Sequence, residues 1–180
     1  MPRHVQTPAS LDTPLTVTKT VTARPPSRAW QKGVGFVAAN SRLTIAVHAL
    51  AWMALAQQRG QPVLTSERVA ASVNTNPVVL RRSLGDLRQA GLVEVRQGAA
   101  AGWSLAKDPE QITLLEVYDA VNNQAHLFAM HRGEPNLKCP VGRGIRLALG
   151  PVYEGAEHAL RAQLRRTSIA DVLTSTLEVQ

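Results

Sequence analysis

Three arginines in the stretch NPVVLRRSLGDLR, Arg81, Arg82 and Arg88, form a group of side chains that could bind by charge. Guanidinium forks donate to phosphate oxygens and to the O6/N7 edge of guanine. Arginines on a helix are also commonly just a solvated face, so the group gains meaning only from the elements that aim it. A second reactive place is Cys139, preceded by Lys138 and followed by Pro140 and Arg143. A helix N-terminus and nearby cations favour the thiolate, the oxidisable form of cysteine. That pattern fits a redox switch working by sulfenic acid, mixed disulfide or a Cys139 link between two copies. It also fits a small apolar residue packed under a loop. His126, His131 and His158 are scattered, each reading as a surface or packed residue. No phosphate loop, paired metal motif or nucleophile–base motif is present, so the sequence does not read as an enzyme.

The elements around the arginines give them a direction. Thr65 caps a short helix in which Val69, Ala70 and Val73 form one apolar stripe. Asn74 and Thr75 make a turn. Asn76-Pro77 starts a second helix, with asparagine as cap and proline where its missing N–H costs nothing. Leu80, Leu84 and Leu87 lie on its buried face, leaving Val78, Val79, Arg81, Arg82 and Arg88 for other faces. Gly91 follows as a left-handed terminator. The period then changes to two: Leu92–Arg96 reads as a strand, Trp103–Leu105 as its partner, and Gln97–Gly102 as a flexible tip. A helix-turn-helix followed by such a hairpin is a winged helix, whose second helix enters the major groove by its N-terminal end.

Charge agrees with that direction. The net charge is +7, but it is unevenly spread. Residues 40–107 hold eight basic and three acidic side chains, whereas residues 108–180 hold seven and nine. The positive field therefore gathers on the proposed reading module, as phosphate binding requires. At 180 residues and 44% hydrophobic, the chain suits one compact domain plus an extra element. No run approaches the roughly 20 apolar residues of a membrane span. One cysteine excludes an internal disulfide and fits a reducing cytoplasm. Residues 1–39 carry five of the eleven prolines, many threonines and no period, and read as a disordered tail or the product of a start set too far upstream.

Flanking the module, Ser41 caps a helix over 41–58 with a predicted buried stripe of Leu43, Val47, Leu50, Ala54 and Leu55. His48 lies beside that stripe and reads as a packed helix residue. After the wing, Asp108–Gln111 reads as a linker, and Thr113 with Glu116 forms a capping box. A loop over 123–138 leads to the longest amphipathic segment, Cys139 to Leu164. Ile145, Leu149, Val152, Ala156, Leu160 and Leu164 recur on it at spacings of three or four, a stripe longer than one small domain needs. Such a helix commonly joins two copies. Gly150-Pro151 predicts a kink or break in it. Ser168 and Asp171 open a final helix over 169–176.

In order and spacing, several segments resemble the Rrf-two family of bacterial winged-helix regulators, of the IscR/NsrR type. These are Ser41-Arg42 before LTIAVHAL, VNTNPVVLRR, LRQAGLV with a glycine-bearing wing, ITLLEVYDAV, and CPVG opening the long helix. The resemblance covers about residues 40–176. It implies a homodimeric transcription factor, with DNA contacts from Thr75, Asn76, Val78, Val79, Arg81 and Arg82 and from Arg96 and Gln97 of the wing. It implies dimerisation through Ile145, Leu149, Val152, Ala156 and Leu160. The wing departs from the family's Arg-Gly-x-Gly-Gly-Gly tip: Gln97, Gly98 and three alanines precede Gly102. Cluster-binding members place three cysteines before the long helix. Here only the last is present, as Cys139, while Leu127 and Gly133 stand at the other two positions and Gly142 at that of a histidine ligand. One thiolate cannot hold a cluster that needs four ligands. His131 and Glu134 nearby lack the usual metal spacing. No iron–sulfur cluster, other metal or cofactor is expected.

The sequence thus predicts a mostly α fold with a small β-hairpin wing. It divides into a tail (1–39), a winged helix-turn-helix DNA-binding domain (40–108) and a helical dimerisation and sensor region (109–176). The predicted protein is a cytoplasmic homodimeric regulator, a repressor on palindromic double-stranded DNA, controlled by Cys139 or by a small effector between head and dimer helix. The alternative is a winged-helix protein–protein adaptor that reads no DNA sequence.

Overall fold

Helix α1 (Ser41–Gln58) is the hub on which the other elements pack in the computed structural model, which describes residues 41–98, 101–122, 126–130 and 132–179. Its centre is made of alanines: Ala46, Ala49, Ala54 and Ala56 are fully buried beside Leu50 and Met53. Small side chains let α2 (Ser66–Val73), α3 (Pro77–Gln89), α4 (Leu114–Asn122) and α6 (Ile169–Glu178) all approach one helix. The predicted stripe is therefore only partly right. Leu50, Ala54 and Leu55 are buried, whereas Leu43 and Val47 are half-buried at the edge. His48 is exposed rather than packed, its Nε2 3.3 Å from the Ser72 hydroxyl.

The helix-turn-helix forms as the caps require. The Thr65 hydroxyl accepts from the Arg68 amide, and Asn74 closes α2 in the left-handed region with φ 52°. Asn76 Oδ1 accepts from the Val78 amide at 2.8 Å, with Pro77 in the first turn. Leu80, Leu84 and Leu87 are fully buried. Gly91 ends the unit with φ +70°. Strands β1 (Val93–Arg96) and β2 (Gly102–Leu105) then pair antiparallel, with Val93 opposite Leu105 and Arg96 opposite Gly102. Leu64 adds a third rung: its N–H and C=O exchange bonds with Trp103 at 2.9 and 2.8 Å. This approach explains Gly102 better than flexibility does, because a Cβ there would lie 2.6 Å from the Leu64 carbonyl oxygen.

The core continues past residue 108. Ile112, Val117, Val121, Ile169 and Leu173 are buried in the same cluster as the leucines of α3. The segment read as a linker is a 3₁₀ turn, Pro109–Gln111, capped by Asp108 and packed against α1 and α6. Both later caps close as capping boxes. Glu116 takes bonds from the Thr113 amide and hydroxyl, and Asp171 takes bonds from those of Ser168. Bonds from Ile169 N–H to Ile112 C=O and from Leu114 N–H to Thr167 C=O sew the start of α6 to the start of α4. The last helix thus returns to the reading head.

Helix α5 (Pro140–Arg165) differs from all the others: it buries no residue. It runs 26 residues through Pro151 as one helix, so the predicted break is absent.

Candidate nucleic-acid interface

The first turn of α3 stands in solvent. Val78 and Val79 are 68% and 42% exposed, while Leu80, next in sequence, is fully buried. Asn76, Arg81 and Arg82 are exposed and Thr75 half-exposed. All six predicted α3 contacts therefore lie at one end of one helix. Arg96 and Gln97 at the end of β1 are exposed as well. They line a groove of about 460 Å³ between the hairpin and the start of α2, together with Thr65, Ser66, Glu67 and Trp103. Residues 99 and 100 of the wing tip lie outside the described residues.

Carboxylates hold two of these arginines. Arg81 lies 3.6 Å from Glu67, and Arg96 lies 2.6 Å from Glu94, with the Ser104 hydroxyl between the two strands also bonded to Glu94. Hydrogen bonds from its own backbone amide, then from Ser66 and Thr65, hold the Glu67 carboxyl below the usual glutamate range, and Arg81 adds to this. Arg82 has no acidic partner among the described residues. Glu94 and Arg96 could have been found in the sequence, since residues two apart share a strand face. Glu67 could not, because only the packing of α2 on α3 brings it to Arg81. Asn76 spends its side-chain oxygen on the helix cap, so its amide nitrogen is what is left to contact a partner.

At the start of α5, Cys139 is exposed and is the N-cap, though its side chain makes no capping bond. It is not packed under the loop. Gly142 faces inward, and any Cβ there would collide with the Asn136 carbonyl. His126 and His158 are not scattered. With Asp119, Glu154, Glu157 and Arg161 they line a cavity of about 620 Å³ between α4 and α5. Arg161 grips Asp119 with two bonds of 2.8 Å, and His126 Nδ1 lies 3.2 Å from Glu157. Phe128 stacks on Tyr153 beside them, ring centroids 5.0 Å apart. His131 lies outside the described residues.

The comparisons with known proteins agree on one family of transcriptional regulators. Residues 39–175 match the model of Rrf2, described as an iron-dependent transcriptional regulator. The chain belongs to the Rrf2 family. It is 44% identical over 134 residues to YwnA of Bacillus subtilis (strain 168), provisionally named an HTH-type transcriptional regulator, covering 74% of this chain and 96% of YwnA. A solved structure provisionally described as a DNA-binding protein is 38% identical, with a TM-score of 0.58, covering 74% of this chain and 99% of its own. IscR of T. potens shares the fold, with a TM-score of 0.59 at 20% identity over 82% of this chain and 92% of that one. This Rrf2 protein is thus a transcriptional regulator with a winged helix, and not an enzyme. None of its described helices is long and apolar enough to cross a membrane.

The family's description names iron. Among the described residues no three of His, Cys, Asp or Glu are grouped to hold a metal ion. The one cysteine has glycine, not a ligand, three residues on, and that glycine is pressed against the loop carbonyl.

Proposed function

We propose that this chain acts in the cytoplasm as a homodimeric repressor that reads a palindromic operator with the first turn of α3 and steadies itself with the wing. The observation that carries this reading is the abrupt change along α3. Leu80, Leu84 and Leu87 are fully buried, while Val78, Val79, Arg81 and Arg82 at its N-terminal end are turned to solvent beside the hairpin. A helix presented in this way fits a major groove by its N-terminal residues. Dimerisation is supported by α5. Its half-buried side, which includes Ile145, Leu149 and Leu160, rests on its own chain. Val152 and Ala156 stay exposed, and Val141, Ala148 and Ala159 extend the apolar flank beside them. We place the partner helix on that flank rather than on the whole predicted stripe.

No iron–sulfur cluster takes part in this scheme, because one cysteine and a closed Gly142 position leave it without ligands. The signal enters on the α4–α5 side, through the exposed Cys139 thiol or through a small effector in the cavity lined by Asp119, His126 and Arg161. A mobility-shift titration of the DNA upstream of the protein's own gene, repeated over a range of salt, tests the reading. A retarded band that outcompetes scrambled duplex is expected. Equal affinity for all duplexes, or none at moderate salt, would leave the protein–protein adaptor as the better account. Oxidant-induced release that persists in Cys139→Ser would remove the thiol and leave the cavity as the sensor.

A further inference from the structure

The tip of α3 carries an apolar surface with no use inside the protein. Val78 and Val79 occupy the second and third positions of the helix, and neither belongs to the core or to the partly buried residues packed on it. Val78 is among the most exposed large apolar side chains of the described residues. The polar groups around them are partly committed: Asn76 Oδ1 to the Val78 amide, and Arg81 to Glu67. Arg82 sits four residues after Val78 and three after Val79, hence on the same helix face, without an acidic partner among the described residues. In the major groove one base feature is apolar, the C5-methyl of thymine, and contact with an aliphatic side chain is how proteins read it.

We infer that Val78 and Val79 form a thymine-methyl reader, and that the operator half-site therefore carries thymines whose C5-methyl groups these two side chains cover. This rests on the reading of α3 as the major-groove helix and gives that helix its base preference. A valine pair cannot hydrogen-bond the exocyclic amino groups of cytosine or adenine, and it gains most where a methyl replaces water. Arg82, one helical turn of about 5.4 Å beyond Val78, would meet an acceptor edge one to two base pairs away at about 3.4 Å each. Guanine offers that edge with its O6 and N7.

The test uses the full-length protein and DNA alone. A randomised duplex library selected on the protein yields its preferred site. Each thymine of that site is then replaced by uracil, which deletes only the methyl. At the thymines under α3, each replacement is expected to weaken binding about fourfold, the effect of one buried methyl group. Val78→Ala or Val79→Ala should make the corresponding uracil replacement silent. Both valines are exposed, so the variants should fold, and the uracil arm needs no variant at all. If no uracil replacement costs affinity, or the cost is unchanged in both valine variants, the methyl reader is wrong although sequence-specific binding stands. If the library enriches no sequence, the DNA reading itself fails and takes this inference with it.

Discussion

Glu67 shows how one side chain changes the meaning of a basic face. Counted along the sequence, Arg81, Arg82 and Arg96 all add to the field that attracts phosphate. In the folded molecule Glu67 lies 3.6 Å from Arg81 and Glu94 lies 2.6 Å from Arg96, leaving Arg82 as the cation of the three without a carboxylate among the described residues. The Arg81–Glu67 pair is exposed on both sides, and exposed pairs contribute little to stability. On the proposed reading of α3 its effect belongs to binding: a carboxylate held on that surface would repel any phosphate and keep Arg81 occupied until a better acceptor is offered. Glu67→Gln is therefore expected to leave the fold intact and to tighten binding to scrambled duplex by about threefold. It should also steepen the salt dependence by roughly one counterion, since Arg81 is freed for a phosphate. Fluorescence anisotropy over a salt series reads both changes, and Arg81→Gln should cancel the change in slope. Weaker binding to every duplex would mean instead that Glu67 orders Arg81 for contact.

Among the elements, the caps and leucines were legible and the close approaches were not. Thr65, Asn76, Thr113 with Glu116, and Ser168 with Asp171 act within three residues of themselves, so their roles could be read along the chain. Leu80, Leu84 and Leu87 followed from helical period. Along the sequence Gly102 suggests only a flexible tip, because its real neighbour, Leu64, is distant in sequence and reaches it only through folding. The alanines of α1 were underrated for the same reason: their value is that other helices can come near. Pro151 misled in the other direction. It removes one N–H, and the carbonyl left without a donor belongs to Leu147, which is 80% exposed and can be hydrated, so α5 continues. The hairpin offers a direct test. In Gly102→Ala the new methyl would meet the Leu64 carbonyl at 2.6 Å and Val63 Cγ1 at 2.8 Å. Backbone must move, and a loss of about 1–3 kcal/mol is expected in urea unfolding. An unchanged midpoint would show that β2 can shift away from Leu64 freely.

On the scale of the whole molecule, charge and apolar surface are separated. The reading head carries the positive excess and most of the buried core, and α5 carries an apolar flank with no core of its own. A helix of 26 residues with no buried side chain is poorly supported by one protomer, since helices draw most of their stability from packing an apolar face. A second copy packed along the flank would cover Val152, which is 61% exposed, and Ala156. Small neighbours at Gly144, Ala148, Gly155 and Ala159 allow two such helices to lie close. The head and the flank then depend on each other for affinity. One head makes a few contacts with one half-site, whereas two joined heads bind the second half-site at high effective concentration. Val152→Glu places a carboxylate in the centre of the proposed seam without touching the head. Light scattering should then report a monomer, and circular dichroism a helix content lowered by no more than α5 contributes. Affinity for the palindrome should fall about a hundredfold or more, to the level that the wild-type protein shows for an isolated half-site. A dimer that persists with unaltered DNA affinity would move the seam elsewhere on α5. A monomer that still binds the palindrome at full strength would separate recognition from dimerisation altogether.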